Sequence, residues 1–291
     1  MTQPLSKARA PDLARGSVSG VGLGLRSPHI EYILKHNPDV PWFELLTDNW
    51  LDAAGIDGFL LDEVSERYPL TLHGVCMNVG GTQPLNFNYL GAVKRLVKRC
   101  NIAMVSDHLA FSAVDGKQLH GLAPMPLTGE SLAHCILRIN TIQDFLGQAI
   151  SIENISAYVA CPQSSLSEAS FMNELADASG CKILLDVNNL HVNQVNLGVS
   201  AVDFIHQINK ASVSEIHLGG YTDKGDFLLD AHNNPVSDPV WLLYEKAMKK
   251  FQHVPTLIEW DNELPEFETL LKEKQKAMSF NTTESGHVII A

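Results

Sequence analysis

The chain has little of what would place it outside a reducing compartment or against a charged polymer. Its five cysteines (Cys76, Cys100, Cys135, Cys161 and Cys181) are odd in number, widely spaced and free of any C-x-x-C pair. That argues against a disulfide frame or a cysteine-held zinc, and for reduced thiols in a cytoplasmic protein. No stretch approaches the roughly 18 apolar residues of a membrane span, and MTQPLSKARAPDLARGSVSG at the start lacks the apolar centre of a secretion signal. Basic residues are few: 21 Lys and Arg against 33 Asp and Glu leave a net charge of −12. A broad basic face for duplex DNA or an anionic membrane is therefore not expected. The Gly-rich VGGTQPLN (79–86) has no P-loop lysine, and GVGLGL (20–25) follows no strand, so neither is a nucleotide fingerprint. No internal repeat or low-complexity tract stands out.

What the chain does have is core-forming material, with 45% hydrophobic residues in 291. That length suits two ordinary domains or one large α/β barrel. After an arm over residues 1–17, rich in Pro, Ser and basic residues, apolar runs of strand length recur. They are GVGLGL (20–25), PWFELL (41–46), LTLHGV (70–75), IAMVSDH (102–108), AISIEN (149–154), KILLDV (182–187), SEIHLGG (214–220) and VPTLIEW (254–260). Segments with helical spacing separate them, such as IEYILKHN (30–37), YLGAVKRLVKRC (89–100) and DPVWLLYEKAMKKF (238–251). Eight continuous apolar runs, each followed by a helix, fit parallel strands buried on both faces. The expectation is one (β/α)8 TIM barrel over residues 18–278, in preference to an open doubly wound sheet, followed by a tail over 279–291. Two connections, 109–127 and 221–237, are long enough to be functional.

A barrel of this kind gathers its site where strands end. The ends read Glu44 with Asp48 and Asn49; His73; Asp107 and His108; Glu153 and Asn154; Asp186 with Asn188, Asn189 and His191; His217; and Glu259 with Asp261. The second long connection adds Asp230 and His232. Any one of these alone is best read as a helix cap or a hydrogen-bonded scaffold residue. Together they would bury many ionisable groups at one rim, which is costly unless a metal compensates them. Imidazole and carboxylate without thiolate suit iron, manganese or zinc. Donors outnumber the needs of one ion, so a cluster of two or three metals is expected, with Glu153 as a bridge. Asp186 and Asn189 are expected to straddle a turn leaving the strand. Cys76 reads as a small buried residue, and KRLVKRC as the solvated face of a helix.

The fragments WFELLTDNW, LTLHGV, VSDHLAFS, SIENISAY, LLDVNNLHV, EIHLGGY, LLDAHNNPVSDPVW and LIEWDNELP, in this order from about residue 18 to 270, resemble the multinuclear non-heme iron-dependent oxidases, the family of the methanobactin-biosynthesis oxidase. The resemblance implies a xylose-isomerase-like barrel, related to endonuclease IV, carrying two or three irons in mixed Fe(II)/Fe(III) states with dioxygen as co-substrate. It implies one iron group at Glu153, Asp186, His217 and Glu259, a second at His73 and His108 with Glu153 bridging, and a third at Asn189, Asp230 and His232. The endonuclease relatives carry histidine where Asn189 stands. Glu153, Asp186 and His217 would be catalytic; Glu44, Asp48, Asn49, Asp107, Asn154 and Asn188 would meet substrate or support the ligands. The implied substrate is a cysteine-containing, ribosomally made precursor peptide, converted to an oxazolone or thiooxazole type of product and presented by a small partner protein. No nucleic acid or membrane partner is expected. The rival is a barrel metallohydrolase acting on phosphodiesters; a sugar isomerase would want a lysine at a strand end, and none is supplied.

Overall fold

The computed structural model describes residues 17–114 and 117–280. The expected arm and tail lie almost wholly outside the described residues. Eight parallel strands close a barrel: β1 (Val21–Leu25), β2 (Phe43–Leu46), β3 (Leu70–His73), β4 (Val105–His108), β7 (Ser151–Glu153), β8 (Lys182–Asp186), β9 (Val213–Leu218) and β12 (Thr256–Ile258). Two small antiparallel hairpins rise from the rim. β5 (Phe111–Val114) and β6 (Lys117–Ala123) occupy the first long connection, and β10 (Tyr221–Asp223) and β11 (Leu228–Asp230) the second.

The strands are not uniformly apolar. Their outward residues, among them Leu23, Phe43, Leu45, Leu70, Leu72, Ile152, Leu185 and Ile258, join the hydrophobic cluster beneath the helices. The alternate positions Glu44, Thr71, His73, Ser106, His108, Glu153, Glu215 and His217 are buried polar groups on the barrel axis. Side chains of a strand alternate between faces, so one face of each strand packs the helical layer while the other builds a polar lumen. Parallel register sets the heights: His108 pairs with Glu153, and Asp186 with His217. Glu44 pairs with Thr71, two residues below His73, and forms a deeper layer.

The outer layer comprises α1 (Ile30–His36), α2 (Gly55–Ser65), α3 (Phe87–Cys100), α4 (Gly129–Leu146), α5 (Glu168–Ser179), α6 (Val187–Leu197), α7 (Ala201–Gln207), α8 (Asp238–Lys250) and α9 (Phe267–Phe280). Polar caps begin several of them: Asn86 on α3, Thr128 with Ser131 in a capping box on α4, Ser167 on α5 and Ser200 on α7. Helix α6 departs from the sequence expectation. Instead of a turn, VNNLHVNQVNL continues directly from β8 as a helix, because the Asp186 carboxylate accepts the Asn189 amide at 2.6 Å and so caps it. No helix among the described residues is long and apolar enough to cross a membrane.

Candidate metal centre

His73 and His108 end neighbouring strands, and Glu153 ends the next one in register with His108. Their Nε2 atoms lie 3.2 Å apart, and each is 3.1 Å from Glu153 Oε2. The other ring nitrogens fix the tautomers. The His108 Nδ1–H donates to the Gly74 carbonyl at 3.0 Å. Ser106 Oγ donates to the Leu72 carbonyl and therefore accepts from His73 Nδ1 at 2.8 Å. In the neutral rings both Nε2 atoms would thus be lone pairs aimed at one point. Ligand atoms bonded to a first-row metal at about 2.1 Å, at right or tetrahedral angles, stand about 3.0 to 3.4 Å apart. All three edges of this triangle fall in that range.

A second convergence lies across the lumen. Glu153, Asp186 and His217 bring one donor atom each within 4.8 Å of the others, as do Asp186, His232 and Glu259, and His73, His217 and Glu259. Glu153, Asp186, His217 and Glu259 are therefore each shared between groups. His217 has Nδ1 at 3.1 Å from Glu259 Oε2, while Nε2 points down to Glu44 Oε1 at 3.2 Å and Glu215 Oε1 at 3.6 Å. Glu44 is held in turn by the Thr71 hydroxyl, which donates at 2.9 Å. Glu215 is buried with neither oxygen hydrogen-bonded.

Helix α6 adds its first turn to the site. The Asn154 side chain brackets the Asp186 backbone, donating to its carbonyl at 2.9 Å and accepting its amide at 3.0 Å. Asn189 donates through Nδ2 to Glu153 Oε1 at 3.3 Å and to the Asn154 carbonyl at 3.1 Å. Its Oδ1 remains buried without a partner. Asn188 and Ser156 donate to the two oxygens of Asp230, which lies 2.7 Å from His232 Nε2. His232 sits in the left-handed region at φ 46°, packed so tightly on Gly219 that a Cβ there would come within 2.8 Å of its ring. Its Nδ1 faces Asp261 Oδ2 at 3.2 Å, and Asp261 is ion-paired with Arg26, whose Nε donates to it at 3.0 Å. Gly24 makes room for that guanidinium, since a Cβ would stand 2.8 Å from Nη1.

The charges balance only with protons in place. Burial alone would depress the His73 pKa, but the carboxylates of Glu153 and Glu44 outweigh it and hold it up to about 10. Against the same desolvation, Glu44 and Glu259 hold His217 well above its ordinary value, and Asp230 and Glu259 do so for His232. Burial, then Glu153 and Asp230, push Asp186 far above the carboxylate range. Burial and Glu44 push Glu215 up to about 7. Protons thus stand where multivalent cations would satisfy the same donors.

Several expected residues lie aside. Asp107 is buried but spends its oxygens on the amides of Met77 and His108, at 3.0 and 2.7 Å, and so ties down a loop. Asp48 accepts the Val75 amide at 3.2 Å, and Asn49 is exposed. His191 stacks near Tyr221. Cys76 is half-buried beside Asp48 and Asp107, and burial followed by these carboxylates pushes its thiol far up, away from a reactive thiolate. Glu215 and Arg26 were not anticipated from the sequence. The signal for Glu215 was its place two residues before His217, the spacing that puts both on one face of a strand.

The orphaned oxygens of Glu153, Asp186 and Asn189, with imidazoles and carboxylates and no thiolate, fit a cluster of first-row metals rather than a structural zinc. Solved structures share the fold. D-Psicose 3-epimerase with D-tagatose, from Clostridium cellulolyticum H10, superposes with a TM-score of 0.59 at 12% identity, over 90% of this chain and 98% of that one. SacUVDE does so with a TM-score of 0.56 at 14% identity, over 90% and 99%. A UPF0276 protein of Acaryochloris marina (strain MBIC 11017) is 41% identical over 92% of this chain and 97% of its own. Another, of Anaeromyxobacter sp. (strain Fw109-5), is 37% identical over 89% and 91%. Residues 20–282 match the family described as RiPP precursor modification enzyme MbnB/TglH/ChrH. The chain, with its rim of shared imidazole and carboxylate donors, belongs to the MbnB/TglH/ChrH family of RiPP precursor modification enzymes.

Proposed function

We propose that this enzyme holds two or three irons and uses dioxygen to oxidise cysteine residues of a ribosomally made precursor peptide. The observation that carries the reading is the sharing of donors: Glu153 belongs both to the triangle with His73 and His108 and to that with Asp186 and His217. One carboxylate shared between two donor sets suits adjacent ions, and hard oxygen donors with imidazole suit iron. One iron would be held by His73, His108 and Glu153, a second by Glu153, Asp186, His217 and Glu259, and a third by Asn189, Asp230 and His232. Bound iron would supply electron transfer to dioxygen and a coordination position that lowers the pKa of a substrate thiol.

The chain's own residues do the rest. Ser106 and the Gly74 carbonyl keep both Nε2 lone pairs directed inward, Asn154 and Asn189 hold Asp186 and Glu153, and the hairpin β10–β11 brings Asp230 and His232 over the rim. A small partner protein that presents the peptide, and a cytoplasmic setting with reduced cysteines, complete the proposal. The test is metal content by mass spectrometry on anaerobically purified protein, with Mössbauer spectroscopy on an iron-57 sample. A spin-coupled ferrous–ferric pair, with dioxygen uptake dependent on a cysteine peptide, is the expected result. Stoichiometric zinc persisting after growth in iron-rich medium would instead favour a phosphodiester hydrolase.

A further inference from the structure

Beside the metal centre, separated from it by helix α6, lies a cavity of about 430 Å³, within the roughly 300 to 1,000 Å³ of small-ligand pockets. Its nearness to the centre is written in adjacent residues. Leu109 follows His108, Ile155 follows Asn154, and Leu190 follows Asn189, and each of the three lines the cavity. Asn193, one helical turn further, bridges the Ile155 carbonyl and the Ala157 amide at 2.8 and 2.7 Å and fixes the shared wall. The remaining lining is largely apolar, with Leu166, Leu197 and Phe204 forming its sides and Val159 and Val199, 64% and 50% exposed, at its mouth.

Charge gives the cavity a polarity. Its lining contains Glu168 and Asp203 and no Lys, Arg or His. Glu168 opens α5, is partly exposed and has no ion-pair partner among the described residues. An apolar recess with an acid at its edge that no basic side chain pairs is complementary to an apolar group carrying a cation.

We propose that this cavity is a recognition subsite for the precursor peptide, taking one apolar side chain next to a basic residue that pairs with Glu168. The inference rests on the peptide-substrate reading and adds to it a sequence preference near the modified position. It also explains the exposed valines, which would be covered when the peptide is bound.

The test uses iron-loaded full-length protein and fluorescein-labelled peptides that share one cysteine and carry Leu-Lys, Ser-Lys or Leu-Glu at several spacings from it. Fluorescence anisotropy should show Leu-Lys bound roughly tenfold or more tighter than either control, the scale of burying one leucine side chain. The half-exposed Val199 tolerates Val199→Arg without unfolding, and that change should remove the preference. Glu168→Gln should bring Leu-Lys and Leu-Glu together while leaving leucine favoured over serine. Cys161, partly exposed on the cavity wall, should be alkylated more slowly when Leu-Lys peptide is bound to the unmodified protein. Equal binding of the three peptides, or a preference that survives both substitutions, overturns the subsite. Dioxygen uptake separates the two readings. Selective binding without cysteine oxidation supports the cavity and sinks the oxidase, whereas oxidation without selectivity does the reverse.

Discussion

Glu44 Oε1 stands 3.2 Å from His217 Nε2, one layer below the rim, on the side of the ring away from Glu259. The two atoms are close without meeting hydrogen-bond geometry, and Nδ1 is the ring nitrogen that bonds Glu259; a carboxylate this near still favours a proton on Nε2, which would leave Nδ1 to a metal as in carboxylate–histidine–metal triads. Glu44→Gln is therefore expected to lower metal affinity about 10- to 100-fold. Glu44→Ala should in addition lower the metal-free protein's stability by about 1 to 3 kcal/mol, because the buried Thr71 hydroxyl loses its acceptor and His217 loses a nearby counter-charge. Competition titration with a chelator and denaturant melts measure the two effects; unchanged affinity in both variants would remove Glu44 from the centre.

Metal loading should release protons. His73 is protonated in the metal-free chain up to about pH 10, and His217 and His232 are also held above their ordinary range. Coordination needs neutral imidazole, so apparent affinity should fall as pH is lowered. The sign for stability is opposite: His73 has its pKa raised on folding, so its contribution to the metal-free protein is full below about 6.5 and is lost as pH rises toward about 10. Uptake of ferrous ion in a weakly buffered indicator solution, with more than one proton released per chain at neutral pH, is the expected reading.

Asp186 has two duties that one pair of substitutions separates. It caps α6 through the Asn189 amide at 2.6 Å and offers its other oxygen, Oδ2, to the metal centre. Asn is an equally good cap, so Asp186→Asn should keep thermal stability while losing metal. Asp186→Ala should lose metal and also about 1 kcal/mol of stability. Equal destabilisation by both variants would show that the cap is not what stabilises this turn.

Arg26 acts on the site through Asp261. Arg26→Lys keeps the charge but not the planar fork, so His232 loses a rigid support. The expected outcome is partial loss of the iron nearest His232, seen as a reduced subset of Mössbauer signals, with the His73–His108–Glu153 site still filled. Uniform loss of all iron would contradict this division.

The barrel and its rim were legible because strand-length runs recur with helical spacing between them, and because polar residues interrupt those runs at their ends. The runs were nonetheless read as continuously apolar. LTLH, FELL and SEIHL alternate, and the alternation marks strands that are buried on both faces, as expected, but with one of those faces a polar lumen. Glu215 was missed for the same reason: in a strand taken as uniformly apolar, an acid has no assigned face. Arg26 was unreadable because its partner lies 235 residues away, across the closing pair of strands. Helix α6 was missed because its Asn-rich start has low helical propensity, which the Asp186 cap and burial of its first seven residues override.

Barrel closure joins β1 to β12, so the last strand to leave the ribosome completes the wall. A nascent chain released through β7 already contains His73, His108 and Glu153, whereas Glu259 and the Arg26–Asp261 pair exist only when the final strand is seated. The donors thus become available in chain order, and the full cluster is a property of the finished polypeptide. A truncated product can gather at most a fragment of it, so the shared donors meet only in molecules whose final strand is in place.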